Sequence, residues 1–555
     1  MRWRLTLPLI VALLLSACGG ISNLGGGNTI EVSVVYGSEK RAWLEAMTEA
    51  FNAQGVKTAA GATIQIKATP MGSTDSMNQI LAGTFQPTVW SPASGILLPV
   101  ANARWAAANG DAKLVGDAPP LVLSPVVIAM WEPMARALGY PGKQLGWADL
   151  AELATSGKSW GDYGFPEWGD FQFGHTHPDY SNSGVTSILA MAYAATGKTR
   201  DLTLADVQDP KTYKFIRDVE SGVIHYGEST GFFAEQMFTR GPAYLSAAVL
   251  YENLVVDSYN RERYPTMGTP VVAIYPREGT FWSDHPYAIL NAPWVTAEQR
   301  EGAEAFRDFL LERPQQEAAL QFGFRPADPT VPLGAPIIPA NGVDPSQPQT
   351  LLAVPSVPVI EAVQAAWVSN KKRVDVLAVL DVSGSMEEEG RLEQAKVALR
   401  DFIGTLSDDD SFGLITFSND ANVLSEVTPL GPKRQEMLDR ISGLFPSGNT
   451  RLVDTVREAY TLMSAQPEGE RIRAIIVLSD GADNRSAANA VDELTTTLQG
   501  EEEGTSIKVF TIAYGTNSDV NPELLKQIAT ASGAKSYQAA PDQIQQVYRD
   551  IATFF

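Results

Sequence analysis

The chain has 555 residues, 44% hydrophobic and 19% charged, and a net charge of −22. That length calls for more than one core, and the apolar content is that of a folded protein with a water-facing surface. The acidity argues against nucleic acid or an anionic membrane surface as a partner.

Met1 to Ala17 reads as a signal peptide. Arg2 and Arg4 supply the positive start, and Leu5 to Leu15 is apolar but too short to cross a bilayer. The stretch ends at Leu15-Ser16-Ala17-Cys18, which resembles a bacterial lipobox. Cys18 is the single cysteine, so an intrachain disulfide is excluded and its place is that of a lipidated N-terminus. Residues 18–28, rich in Gly, Ser and Asn, form a tether. No later stretch has the apolar length of a membrane span. The expectation is an extracytoplasmic protein held to the bacterial cell membrane by lipid alone.

From Thr29 strands alternate with amphipathic helices. Ile30 to Tyr36 reads as a strand, followed by Gly37-Ser38-Glu39-Lys40 and a helix marked by Trp43, Leu44, Met47 and Phe51. Such a corner points free amides and a helix dipole at its loop. Ile64 to Ala68 is the next strand, Met77 to Ala82 a helix, and Leu121 to Trp131 a long extended run interrupted by Ser124-Pro125. The segments VVYGSEKRAW, TVWSPASG, LVLSPVVIAMWEPMARALG, FGHTHPDYSNSG and LYENLVV resemble an extracellular solute-binding protein of the kind found with ABC importers. The resemblance covers residues 29–325. It implies two α/β lobes that close on a small solute by hinge motion, with Ser38, Glu39, Ser91, Ser124, Ser183 and Glu252 in the cleft. Each of these six also suits a helix cap or a turn. His175-Thr176-His177 has no third ligand at a zinc spacing and is read as part of the same loop. Tyr163, Phe165, Trp168, Phe171 and Phe173 are read as packing rather than as a sugar platform.

Residues 326–372 change character. Proline recurs from Pro326 to Pro358, and the stretch is expected to be an extended, semi-rigid linker, some of it packed along the first domain. Val359 to Val368 reads as a helix leading into a second domain at 373–555.

That domain opens on a buried-strand run, Val376 to Leu380, ending in Asp381-x-Ser383-x-Ser385. The alternation points three oxygens at one spot beyond the strand, which suits a hard cation but is too few for one. Thr450, after the loop Pro446 to Asn449, and Asp480, closing the run Ile475 to Asp480, add the rest. With these five in order the segment resembles a von Willebrand factor A domain and its metal-ion-dependent adhesion site. The resemblance implies Mg²⁺ (or Mn²⁺ or Ca²⁺) bound by Ser383 and Ser385 directly and by Thr450 directly or through water. Asp381 and Asp480 would hold coordinating waters, and one position would stay open for a carboxylate of a protein partner. The remaining runs alternate strand and helix, which implies a doubly wound, mostly parallel sheet with ligands beyond the strands' carboxyl ends. Asp408 to Asp410 is read as a solvated turn, and Asp483 as a cap or loop organiser.

The fold class is therefore α/β throughout. Catalytic signatures (GxSxG, HExxH, a Walker loop) are absent from the sequence, and no base or nucleophile stands beside the proposed metal, so a binding protein rather than an enzyme is expected. Two binding roles fit. One is adhesion or protein–protein interaction through the metal with solute capture in the cleft; the other is the solute-binding component of an importer, docked through the second domain.

Overall fold

A computed structural model describes residues 29–466, 471–481, 483–487, 489–499, 507–515 and 521–555. The signal peptide, Cys18 and the tether lie outside the described residues. Along the first domain the strands are β1 (Thr29–Tyr36), β2 (Thr63–Pro70), β3 (Val89–Ser91), β4 (Val122–Trp131), β5 (Phe173–Thr176), β6 (Val223–Gly227), β7 (Ala247–Tyr251), β8 (Val271–Ile274), β9 (Trp282–Ser283), β10 (Ala288–Ile289) and β11 (Arg325–Pro326). The helices that matter here are α1 (Arg41–Ala53), α2 (Ser73–Ala82), α3 (Asn182–Thr196) and α4 (Thr230–Arg240). They build two lobes. One sheet runs β10-β3-β1-β2, and the other runs β11-β4-β7-β5-β6 with β8 and β9 also on β4.

β4 crosses between the lobes. Its first residue, Val122, sits in the first lobe's core beside Val32 and Phe306, whereas Val126 to Trp131 belong to the second lobe's core. The run continues through Ser124-Pro125 without the expected interruption. Proline is tolerated because it falls where the ladder changes hands, between β11 at Leu123 and β7 at Val126, with only two-residue β9 alongside.

The proline-rich stretch is not a spacer. It lies along the first domain as a strap: Gly342 and Thr350 carbonyls accept from Ala273 and Thr280 amides, and Ala353 N–H donates to the Thr199 carbonyl. Proline lacks an N–H but keeps its carbonyl, so such a segment can still be held from outside by neighbouring donors. The strap leads into α5 (Val357–Asn370), whose Trp367 donates to Glu220 Oε1 at 3.0 Å and packs edge-on against His177 at 4.9 Å.

The second domain follows with β12 (Val374–Asp381), α6 (Arg391–Thr405), β13 (Ser411–Phe417), β14 (Ala421–Pro429), α7 (Leu452–Ser464), β15 (Ile472–Ser479), β16 (Lys508–Tyr514), β17 (Ser536–Ala539) and α8 (Ile544–Ala552). Its sheet order is β14-β13-β12-β15-β16-β17, parallel except for edge strand β14. All eight residues of β12 are buried, as a central parallel strand covered on both faces requires. Asp410 is buried and not solvated. Its carboxylate accepts from Ser407 N, Ser407 Oγ and Val374 N, fixing the turn to the start of β12.

The two domains share packing. Phe510, Phe554 and Phe555 belong to the same apolar cluster as the second lobe, the Phe554 carbonyl accepts from Tyr226 N, and Lys371 donates to the Phe555 carbonyl. Lys535 lies 3.8 Å from Glu228. At this junction Asp550 of α8 faces Glu228 of the second lobe, Asp75 of the first, Lys535 and Gln546. Burial first, and then the Glu228 charge, push the Asp550 carboxyl up to about 7. Its folded pKa lies above the unfolded one, so its contribution is complete below about pH 4 and is lost as pH rises through about 7. Buried His225, pushed down to about 3 by desolvation, works in the opposite sense. The comparison of variant with wild type therefore reports on Asp550 together with Glu228, whose carboxyl is also raised by burial. In scanning calorimetry Asp550→Asn is expected to melt with wild type near pH 3.5 and above it at pH 8.5; an equal offset at both pH values would refute the assignment.

Candidate metal centre and interlobe cleft

The metal-site candidates come together at the carboxyl ends of β12 and β15, two strands paired in parallel over most of their length. Asp381 closes β12. Its Oδ1 accepts from Ser383 N at 2.8 Å and its Oδ2 from Ser479 Oγ at 2.6 Å. Ser383 and Ser385 hydroxyls lie 3.1 Å apart, and Ser385 Oγ donates to Asp480 Oδ1 at 2.8 Å. Thr450 is delivered by its loop, which is tied to the same turn by Ser447 N to the Val382 carbonyl (2.7 Å) and Gly384 N to the Gly448 carbonyl (3.0 Å). Gly481 closes the cradle. A Cβ there would stand 3.2 Å from Thr450 Oγ1 and 3.9 Å from Ser385 Oγ, so a side chain would crowd both hydroxyls.

Asp381, Ser383, Thr450 and Asp480 are buried, and Ser385 is half-buried. Burial drives the Asp381 carboxyl up to about 7, with the Asp480 charge adding to it against hydrogen bonds from Ser479 and Ser383. The donor set is two carboxylates and three hydroxyls, all oxygen, which fits a hard divalent cation and not a soft one. Among the described residues no group of three or more His, Cys, Asp or Glu side chains is placed to hold a metal; a cation here would depend on the hydroxyls. Asp483 accepts from Val453, Arg485 and Ser486 amides, and so holds the Thr450 and Asp480 loops together.

Sequence reading missed Arg391. Its guanidinium is fully buried, and Nη1 donates to Asp480 Oδ2 at 2.8 Å. The signal was present: a cation at the first residue of a helix opposes the helix dipole and calls for another reason to be there.

The six cleft candidates fare differently. Ser38 and Glu39 do line a cavity between the lobes, of about 530 Å³, together with Arg41, Trp43, Phe232 and Arg263. Ser38 Oγ accepts from Gly231 N of α4, so the lobes touch here. Glu39 is buried. Burial alone would raise its carboxyl, but Lys40 and His285 hold it down at about 2. Lys40 Nζ also donates to the Ser91 and Pro92 carbonyls at 2.9 and 3.1 Å, so this buried cation staples β1 to β3 rather than facing solute. The other four do not line that cavity. Ser91 is buried away from the cavity. Ser124 exchanges hydrogen bonds with Asn253 (3.1 Å each). Ser183 sits between Thr176 and Thr230 hydroxyls at 2.6 and 2.8 Å. Glu252 is fully buried in a two-pronged ion pair with Arg325, both contacts 2.7 Å, and accepts from Tyr275. Phe232 and Arg263 went unread because they reach the cavity from segments far along the chain from Ser38 and Glu39. The cavity's size and mixed aromatic and charged lining suit a small polar molecule.

His175 Nε2 meets Glu220 Oε1 at 2.9 Å, and Tyr226 donates to Glu220 Oε2 at 2.6 Å. This is a packed network behind α5. Phe165 and Trp168 stack at 4.2 Å with Trp168 half-buried.

Comparison with known proteins follows this division. The family model for the bacterial extracellular solute-binding protein matches residues 32–325, and that for the von Willebrand factor type A domain matches residues 375–550. Among solved structures the chain is similar to a periplasmic thiamin binding protein, at 13% identity over 64% of this chain and 100% of that one, TM-score 0.46. It is also similar to the periplasmic binding protein AfuA from Actinobacillus pleuropneumoniae, at 16% identity over 62% and 99%, TM-score 0.43. A von Willebrand factor type A structure from Catenulispora acidiphila is 19% identical over 33% of this chain and 42% of that one, TM-score 0.30, so the chain spans less than half its length. No curated protein matches the chain. Among the described residues no helix is long and apolar enough to cross a membrane. With more than half of its length matched, the chain belongs to the bacterial extracellular solute-binding protein family, and it carries a von Willebrand factor type A domain after the solute-binding domain.

Proposed function

We propose that this chain is a lipid-anchored binding protein of the bacterial envelope, whose A domain grips an acidic group of a protein partner through a divalent cation. The observation that carries the reading is the convergence of Asp381, Ser383, Ser385, Thr450 and Asp480 oxygens from three separate segments. Ser383, Ser385 and Thr450 would hold Mg²⁺ or Mn²⁺ by neutral hydroxyls, with Asp381 and Asp480 ordering its waters. The cation supplies an electrophile for a partner's Asp or Glu, since neutral ligands leave it most of its charge. The interlobe cavity at Ser38, Arg41 and Trp43 would take a small solute, and Cys18 would carry the anchor. Stable anchoring needs more than one acyl chain or a second signal.

One fractionation tests the whole. Wild-type chain is expected in the membrane fraction, and Cys18→Ser in the soluble one. Envelope proteins captured on detergent-solubilised wild type should be lost with EDTA and restored by Mg²⁺. Thr450→Ala should lose them while melting within about 1 kcal/mol of wild type. Capture that ignores the chelator would rule out the metal reading.

A further inference from the structure

Arg391 is held beside the site by an unusual local path. The turn before α6 takes Glu389 and Gly390 through left-handed backbone, φ +54° and +66°. For a non-glycine residue such as Glu389 this is a strained conformation, sustained only where the surroundings impose it. The result places Arg391 at the first helical residue with its side chain fully out of solvent. Tyr514 Oη donates to its carbonyl at 3.0 Å, and a Cβ on Gly515 would stand 3.2 Å from Nε. The slot is thus shaped for the guanidinium. Nη1 reaches Asp480 Oδ2 at 2.8 Å and the Ser385 carbonyl at 3.4 Å, while Nη2 lies 3.5 and 3.6 Å from exposed Glu388 and Glu389. Asp480 is therefore shared: Oδ1 faces the Ser385 hydroxyl inside the site, and Oδ2 is held from behind.

Resting on the metal reading above, we infer that Arg391 is the site's built-in counter-charge, which offsets one of the two carboxylate charges around the cation. Two consequences follow. Without a cation the cradle would not leave two buried carboxylates facing each other uncompensated, so the domain is expected to fold without metal. The bound cation keeps a larger surplus of positive charge, which weakens its own binding but strengthens its pull on an acidic partner. A merely orienting residue and a counter-charge predict opposite signs for metal affinity when Arg391 is neutralised.

The test is calorimetric titration of the full chain with Mn²⁺, together with melting in EDTA and in Mn²⁺. Arg391→Gln is expected to bind Mn²⁺ at least about tenfold more tightly, since one unit charge acting on a divalent ion from about 6 Å has roughly that effect even at the dielectric of water, and this site is buried. It should also melt lower in EDTA and gain more from Mn²⁺ than wild type does. Arg391→Lys, which keeps the charge, should bind within twofold of wild type. Weaker or unchanged Mn²⁺ binding by Arg391→Gln would overturn the inference while leaving the metal site standing. No binding by wild type would overturn both. If Arg391→Gln stays unfolded even in Mn²⁺, Arg391→Lys decides: a change beyond twofold overturns the counter-charge role, and affinity within twofold supports it.

Discussion

Replacing Asp381 by alanine is expected to lower the affinity of the full chain for Mg²⁺ or Mn²⁺ by about 100-fold, the upper end of what removal of an outer-sphere partner costs a metal site. Asp381 carries no hydroxyl ligand itself, yet it sits at the centre of the arrangement. Its two oxygens hold the Ser383 amide and the Ser479 hydroxyl, and thereby set the turn that presents Ser383 and Ser385. Alanine removes a charge that a divalent cation needs nearby and releases that turn at the same time. The fold should survive, because a carboxyl pushed up to about 7 by burial gains little from being ionised there. Calorimetry on both proteins, with circular dichroism to verify folding, gives the answer. Equal metal binding by the two would remove Asp381 from the site.

Glu252→Ala is expected to destabilise the first domain by about 3–5 kcal/mol, because it leaves a buried guanidinium without its partner. Arg325, 6% exposed, has both prongs on Glu252 and also reaches the Pro345 carbonyl of the strap at 3.1 Å. The pair thus fastens β11 and the strap to the second lobe, and its loss should lower the melting temperature by about 10 °C in a domain of this size. Replacing both residues with leucine should cost less than the single change, since no charge is then left unpaired. A single variant that melts with wild type would show that the guanidinium finds water instead.

The residues that announced themselves in sequence were those whose neighbours are close along the chain or whose burial is uniform. β12 and β15 read as strands because a parallel strand covered on both faces is an uninterrupted apolar run, and the carboxylates at their ends stood out against it. β17 did not: Ser-Tyr-Gln-Ala at a sheet edge has neither length nor a clean apolar run. The serines assigned to the cleft illustrate a second limit. A hydroxyl serves a ligand or a neighbouring side chain equally well, and Ser124 and Ser183 found partners far along the chain, at Asn253 and Thr230. The strap shows a third: proline content tells which donors are missing and nothing about donors elsewhere that seek its carbonyls.

β12 also has a mechanical meaning. At its amino end, α5 and Lys371 join the chain to the first domain; at its carboxyl end stand Asp381 and the serines. Eight residues of strand put about 23 Å between the two ends. Tension between a partner held at the serines and an anchor beyond the first domain would run lengthwise along this strand. β12 is flanked by parallel β13 and β15 along nearly its whole length, so such tension shears two ladders at once and cannot peel one bond at a time. The strand that would present the site is therefore also one held along both edges against a pulling force.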